Sequence, residues 1–71
     1  MKKYLIVIEE TGSGYTAYSP DLRGCVVTGW TRGEVEQKAQ KAIEVQLQQL
    51  RRDGEPLPEP HTYTTYVELP T

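Results

Sequence analysis

The sequence predicts an α+β domain in which three strands are followed by one helix and a final strand. Three observations support this order. A β-prone apolar run at residues 4–8 precedes a Gly-rich turn, apolar residues recur at helical spacing from Val35 to Leu50, and a second β-prone run covers residues 61–69. With 71 residues, the chain is long enough for a single domain, residues 1–71.

The first two strands are predicted to form a hairpin. Residues 4–8 are apolar at every position, which is typical of a strand that is buried on both faces. The turn sequence Thr-Gly-Ser-Gly at residues 11–14 leads into a returning strand at residues 15–19. A third strand at residues 25–29 follows a Pro-Asp turn, and it is expected to run antiparallel to the second.

A helix is predicted to begin after Thr31 and to end near Gly54. Thr31 and Glu34 have the spacing of a capping box, in which a threonine hydroxyl and a glutamate carboxylate accept bonds from backbone N–H groups of the first turn. Apolar residues then recur along one helix face, namely Val35, Ala39, Ala42, Ile43, Leu47 and Leu50. Gly54 suits the left-handed conformation that ends many helices.

The order of the strands follows from connection rules. The third strand must lie parallel to the first, and the helix then returns the chain for the fourth strand at residues 61–69. Because such crossovers are right-handed, the fourth strand is expected beside the first, in a four-stranded mixed sheet with the order 3-2-1-4. One helix covers only one face of this sheet, and the apolar face that remains is typical of an interaction surface.

Composition and charge argue against several classes of protein. The net charge is −2, whereas a general nucleic-acid-binding protein normally carries a basic excess. The apolar run after Lys3 is too short for a signal peptide or a membrane span, so a cytoplasmic protein is expected. One cysteine cannot form an internal disulfide, so a domain this small is expected to gain stability as a homo-oligomer, a dimer or a tetramer.

No catalytic, cofactor-binding or metal site is expected. Cys25 and His61 could pair as a nucleophile and a base, but no third group orients them, and a lone cysteine in a β run is usually a core residue. A metal-dependent nuclease needs converging carboxylates, whereas Asp21 and Asp53 belong to turns or helix ends. The chain is therefore expected not to be an enzyme.

Three segments of the chain together resemble the HicB-like antitoxin family. They are Tyr15-Thr16-Ala17-Tyr18-Ser19-Pro20-Asp21-Leu22-Arg23-Gly24-Cys25, then Gly29-Trp30-Thr31, then Gly54-Glu55-Pro56-Leu57-Pro58-Glu59-Pro60. The family pattern is a Tyr-rich strand, Pro-Asp-Leu-Pro-Gly-Cys, a Gly-x-Thr that starts a helix, and a Gly followed by Pro-x-Pro. Arg23 replaces the usual proline of this pattern, and Val35 stands where alanine is common.

The resemblance implies a reduced ribonuclease-H-like fold and a role as the antitoxin of a type II toxin–antitoxin pair. The implied partner is a HicA-like toxin, a small messenger-RNA endoribonuclease whose catalytic histidine the antitoxin covers. An acidic domain suits a basic RNA-binding partner because opposite potentials speed association. Many family members carry a DNA-binding domain after this one. Since only Pro70 and Thr71 follow the last predicted strand, no direct DNA binding is expected.

Seven residues are candidates for the partner-binding surface: Glu9, Glu10, Tyr18, Asp21, Leu22, Arg23 and Trp30. The glutamates and Asp21 supply negative charge, and Leu22 and Arg23 are expected to be exposed beside the Pro-Asp turn. Trp30 either packs onto Val35 as a hydrophobic staple or contacts a partner. Two other functions stay open: a stand-alone homo-oligomeric binding protein without a toxin, and a nucleic-acid-binding domain.

Overall fold

Three antiparallel strands and one long helix form the body of the protein, which a computed structural model describes for residues 2–70. The strands are β1 (Val7–Thr11), β2 (Gly14–Tyr18) and β3 (Val26–Gly29), and the helix is α1 (Arg32–Arg52). The strands form one sheet in the order β1-β2-β3, and α1 packs against one face of it. The predicted α+β class, with three strands followed by a helix, is confirmed.

One row of side chains across the sheet forms the contact with the helix. Ile8 lies opposite Ala17, and Ala17 lies opposite Val27, so the three side chains point to the same face. Val35 and Ala39 of α1 pack against this row and are buried by it. The first part of the apolar stripe predicted for the helix, Val35 and Ala39, therefore meets the sheet.

A second core cluster forms where the loop of residues 19–25 joins β2 to β3. Leu22, Cys25 and Ile43 are buried together there. The expectation that Leu22 is exposed is wrong, because the loop turns back on itself. The Leu22 N–H donates to the Ser19 carbonyl at 3.2 Å, and this turn directs the leucine side chain into the core.

The N-terminus of α1 is capped as the sequence predicts. Thr31 is the N-cap, and its Oγ1 accepts a hydrogen bond from the Glu34 N–H at 3.1 Å. In return, Glu34 Oε1 accepts a hydrogen bond from the Trp30 N–H at 3.0 Å. Gly29 leaves the space that this carboxylate occupies, since a Cβ there would lie 2.7 Å from Glu34 Oε1.

The C-terminus of α1 ends in a Schellman motif. Gly54 has a φ of 71°, a conformation that residues with a side chain rarely adopt. Its N–H donates to the Arg51 carbonyl at 3.2 Å, and the next N–H, of Glu55, donates to the Leu50 carbonyl at 2.9 Å. The prediction that the helix ends at Gly54 is confirmed.

The predicted fourth strand is not formed in this structure. Residues 61–69, here called the arm, have no strand partner among the described residues, and all of them are exposed. The four-stranded sheet with the order 3-2-1-4 is therefore not confirmed. Within the described chain β1 lies at an edge instead of in the interior, and it begins at Val7 instead of Tyr4.

The connector before the arm does not itself extend the sheet. Residues 55–60 contain three prolines, which have no N–H to donate to a strand partner. Side chains hold this connector instead: Tyr4 Oη donates to the Pro58 carbonyl, and Lys2 Nζ donates to Glu59 Oε1, both at 2.6 Å. The hydrogen bond and the charge of Lys2 hold the pKa of Glu59 below its ordinary value.

Replacing the N-cap should destabilise the domain by a measurable amount. We expect Thr31→Ala to lower the free energy of unfolding by about 1 kcal/mol, because the Glu34 N–H loses its acceptor. Chemical denaturation followed by circular dichroism measures this change. Thr64→Ala, at an exposed position of the arm, is the matched control and should stay within about 0.5 kcal/mol of wild type. Equal losses in the two variants would contradict the assignment.

Candidate functional site

The sheet face opposite α1 carries an apolar row. Val7 lies opposite Tyr18, and Tyr18 lies opposite Val26, so the three side chains share one face. Because these positions alternate with the row that contacts the helix, they point away from it. Val7 and Tyr18 are half-buried, and the Val26 side chain is 60% exposed. The only helix of the described residues lies on the other side of the sheet.

The next row on the same face is polar and acidic. Glu9 lies opposite Thr16, and Thr16 lies opposite Thr28. The carboxylate of Glu9 is exposed, and β1, β2 and β3 contain no lysine or arginine to neutralise it. We call the two rows together the open face: Val7, Glu9, Thr16, Tyr18, Val26 and Thr28. One end of the open face is apolar, and the other is acidic.

Four of the seven candidate residues belong to the sheet and its ends. Glu9 and Tyr18 lie on the open face, in neighbouring rows. Glu10 lies on the opposite face, where it pairs with Tyr15. Trp30 follows the strand that pairs with this part of β2, and its side chain is 76% exposed. A hydrophobic staple would cover Trp30, so this exposure favours the alternative of a partner contact.

The other three candidates lie in the loop of residues 19–25, beyond the apolar end of the open face. Leu22 is in the core, as described above, and cannot contribute to a surface. Arg23 is exposed, and its carbonyl accepts a hydrogen bond from Gln46 Nε2 at 3.1 Å. The structure thus brings Glu9 and Tyr18 onto one face of the sheet, puts Glu10 on the other face and buries Leu22.

Asp21 anchors the start of the arm. Its Oδ1 accepts a hydrogen bond from Thr62 Oγ1 at 2.9 Å, and its Oδ2 accepts one from the Thr62 N–H at 3.3 Å. Desolvation raises the pKa of Asp21, but the bonds from Thr62 and from the His61 backbone outweigh it, so the pKa lies below the ordinary value of 3.8. Sequence reasoning missed Thr62, because nothing in the sequence distinguishes it from the threonines that follow.

A cleft of about 500 Å³ separates the arm from the free edge of β1. Ile6 and Ile8 line one wall, and residues 64–66 of the arm line the other. The arm therefore lies near β1, and the cleft between them opens on the face of the sheet that packs against α1, since Tyr15 and Arg32 also line it. No backbone hydrogen bond joins the arm to β1 among residues 2–70.

Cys25 and His61 occupy different environments. Cys25 packs against Leu22 and Ile43, and burial raises the pKa of its thiol, which disfavours the reactive thiolate. His61 is exposed at the base of the arm. Residues 2–70 contain no group of three or more His, Cys, Asp or Glu side chains that could hold a metal ion. Within the same residues, α1 is not apolar enough over its length to cross a membrane.

A three-stranded sheet with a helix on one face and an open, partly apolar second face defines a small α+β domain. The family model of the HicB_like antitoxin of bacterial toxin–antitoxin systems matches residues 4–71. This chain belongs to that family, and the resemblance predicted from the three motif segments is confirmed.

Similar proteins include a phage protein and two solved structures. A protein of Haemophilus phage HP1 (strain HP1c1), named "Uncharacterized 14.9 kDa protein in rep-hol intergenic region", is 33% identical over 67 residues, which are 94% of this chain and 50% of that protein. A chain of the "HicA3 and HicB3 toxin-antitoxin complex" is 35% identical with a TM-score of 0.68, over 84% of this chain and 70% of that chain. The "Antitoxin HicB3 crystal structure" is 37% identical with a TM-score of 0.66, over 80% of this chain and 42% of that chain. This chain thus spans about half the length of the curated relative that it matches.

The contact between Asp21 and the arm should depend on pH. Because the pKa of Asp21 is lowered in the folded protein, the contact stabilises the protein above pH 3.8 and is lost as the pH falls through the lower, folded pKa. In an NMR titration, the Thr62 amide signal should therefore shift with a midpoint below 3.8. Asp21→Asn is the control and should abolish this shift. A midpoint at or above the ordinary value would contradict the arrangement.

Proposed function

We propose that this chain is the antitoxin of a type II toxin–antitoxin pair. In this proposal it neutralises a HicA-like messenger-RNA endoribonuclease by binding it and covering its active site. Membership of the HicB-like family and the similarity to a chain of the HicA3–HicB3 complex support the proposal. The observation that carries it is the open face, which combines exposed apolar area with an uncompensated carboxylate.

The chemistry of the open face suits a toxin that binds RNA. A protein that binds RNA needs a basic surface for the phosphates. Glu9 offers an exposed negative charge to such a surface, and no cation on the strands opposes it. Val26 and Tyr18 then supply the apolar contact area that charges alone do not provide. An antitoxin that occupies the basic surface excludes the RNA from it.

We also propose that the working form is a homo-oligomer, a dimer or a tetramer, whose sheet contains the arm as a fourth strand in the order 3-2-1-4. The core of a single chain is small, since Val35 is the largest side chain that is fully buried among residues 2–70. A domain of this size is marginal without a further source of burial. The position of the arm beside the free edge of β1 supports the proposed strand order.

Three further parts of the proposal follow from the antitoxin role. Residues 1–71 act as a single HicB-like domain, and they act by binding and not by catalysis. The site of action is the cytoplasm, where a toxin that cleaves messenger RNA finds its substrate. Direct binding of this domain to DNA is not expected, because α1 has mixed charge and phosphates repel its glutamates, Glu34, Glu36 and Glu44.

Co-expression with the product of the adjacent short reading frame tests the proposed function. The two proteins should co-purify through a tag on either one, and the antitoxin should restore growth to cells that express the toxin. If both proteins are soluble and neither co-purification nor rescue of growth is observed, the antitoxin function is wrong. Tight binding to RNA at physiological salt would instead favour the nucleic-acid-binding alternative.

Reversing the charge on the open face should weaken the complex. We expect Glu9→Lys to reduce the affinity for a toxin variant without its catalytic histidine by about tenfold, mainly through slower association. Biolayer interferometry at two salt concentrations measures both effects, and the difference should shrink at high salt. Glu36→Lys, an equal charge change on the exposed surface of α1, is the matched control and should change the affinity little. Equal effects of the two variants would exclude a specific role for Glu9.

A charge in the apolar row should also weaken the complex without unfolding the antitoxin. The Val26 side chain is already 60% exposed, so Val26→Asp should leave the melting temperature almost unchanged. Binding would bury the new carboxylate, and we expect at least a tenfold loss of affinity, or about 1.4 kcal/mol. Val45→Asp, at a half-exposed position of α1, is the control. Full affinity of Val26→Asp would place the interface elsewhere.

A further inference from the structure

The arm has the properties of a strand without a partner. Four of its nine residues are large and apolar, and their side chains are between 70% and 96% exposed: Tyr63, Tyr66, Val67 and Leu69. Single exposed apolar residues are common in monomers, but a concentration of them in one short segment marks an interaction surface. The β-branched and aromatic residues of the arm also favour an extended strand.

The same chain carries a free strand edge. β1 pairs only with β2, so the backbone N–H and C=O groups on its other edge have no strand partner within residues 2–70. The opposite edge, on β3, is partly occupied, because Lys38 Nζ donates to the Thr28 carbonyl at 3.0 Å. Within residues 2–70, the edge of β1 is therefore the more open of the two edges.

An apolar cleft lies next to this free edge, at the start of β1. It has a volume of about 650 Å³ and is lined mainly by Tyr4, Ile6, Ile43, Leu47 and Leu57. A cleft with these walls can receive side chains of the kind that the arm exposes. The cleft and the edge of β1 together form an acceptor, and the arm is the matching donor.

The dimensions of the chain show that the arm is not packed into the body of the domain. The radius of gyration is 14.1 Å, and the chain measures 50 × 27 × 18 Å. A compact domain of this length is expected to have a radius of about 11 Å. The proline-rich connector of residues 55–60 is stiff, and its contacts with Lys2 and Tyr4 hold it in place. The arm has not closed onto its own β1, although it lies beside it.

We propose that two copies of this chain exchange arms, so that the arm of each copy pairs with the free edge of β1 in the other. The inference rests on the proposed four-stranded sheet and deepens it, because the fourth strand then comes from a second copy. One chain contains both a donor and an acceptor, so a two-fold symmetric dimer satisfies both at once. The exchanged strand lies in the plane of the sheet, and the open face of each copy stays free for the toxin.

Cross-linking between two introduced cysteines tests the exchange without any toxin. Glu10 and Thr65 are exposed and line the same cleft, so Glu10→Cys with Thr65→Cys reports which β1 the arm adjoins. The double variant is treated with a short bifunctional maleimide at low micromolar concentration and analysed by denaturing mass spectrometry. The native thiol, Cys25, is buried, and the wild-type chain serves as the control for its reactivity.

Exchange predicts a cross-linked product with the mass of two chains. It also predicts a mixed product when chains with only Glu10→Cys, labelled with ¹⁵N, are combined with unlabelled chains that carry only Thr65→Cys. A cross-link confined to single chains would overturn the proposal in favour of a strand from the same chain. The absence of any cross-link would overturn it as well. Gln48→Cys, exposed on α1, replaces Glu10→Cys in the control pair and should give no product.

A second variant keeps the test independent of the introduced cysteines. Insertion of several Gly-Ser residues after Glu55 gives the arm the freedom to fold back onto its own β1. Sedimentation equilibrium should show a dimer for the wild-type chain and a shift towards monomer for the insertion variant. A wild-type monomer at all concentrations, or a dimer that the insertion does not affect, would overturn the exchange. Loss of toxin binding with an intact exchanged dimer would instead contradict only the proposed function.

Discussion

The packing of α1 onto one face of the sheet is the constraint on which the rest of the structure depends. Val35 and Ala39 bury the row of Ile8, Ala17 and Val27, and this contact fixes which face of every strand points inward. Strand residues alternate between faces, so the same contact also determines which residues stay outside. A chain with a single helix cannot cover both faces, and the open face is the direct consequence.

The segments that carry the family resemblance have structural roles. Leu22 and Cys25 belong to the core, Thr31 caps the helix, and Gly54 ends it. By contrast, most of the open face lies outside those segments, and Glu9 and Val26 are examples. Several motif residues thus act on the backbone and the core of the fold. The resemblance therefore indicates the fold more directly than it indicates a binding surface.

Local signals of the sequence predicted local structure well. The spacing of Thr31 and Glu34 and the glycine at position 54 each depend on backbone groups within one helical turn, and both are found as expected. The prediction that Leu22 is exposed was wrong. A tight turn at Pro20 folds the leucine back into the core, and the type of side chain alone does not reveal this direction. Residue type likewise indicates that Glu9, Glu10 and Tyr18 could contact a partner. Only the strand register shows which of them lie on the same face of the sheet.

The signals for strands were weaker, because a strand needs a partner that the sequence does not specify. The apolar run at residues 4–8 indicates burial, yet hydrogen-bonded pairing begins only at Val7. The β-prone arm likewise carries the composition of a strand without information about the edge that it joins. The contact between Asp21 and Thr62 spans 41 positions and leaves no local pattern to detect.

Gly29 shows how one small residue links two parts of the molecule. The carboxylate that caps α1 occupies the space where a side chain at position 29 would begin. A side chain at position 29 would push the flexible end of Glu34 aside, and the Trp30 N–H would then lose its acceptor. The end of β3 and the start of the helix are therefore coupled through this one carboxylate, and the size of residue 29 sets how tightly the first turn of the helix is held.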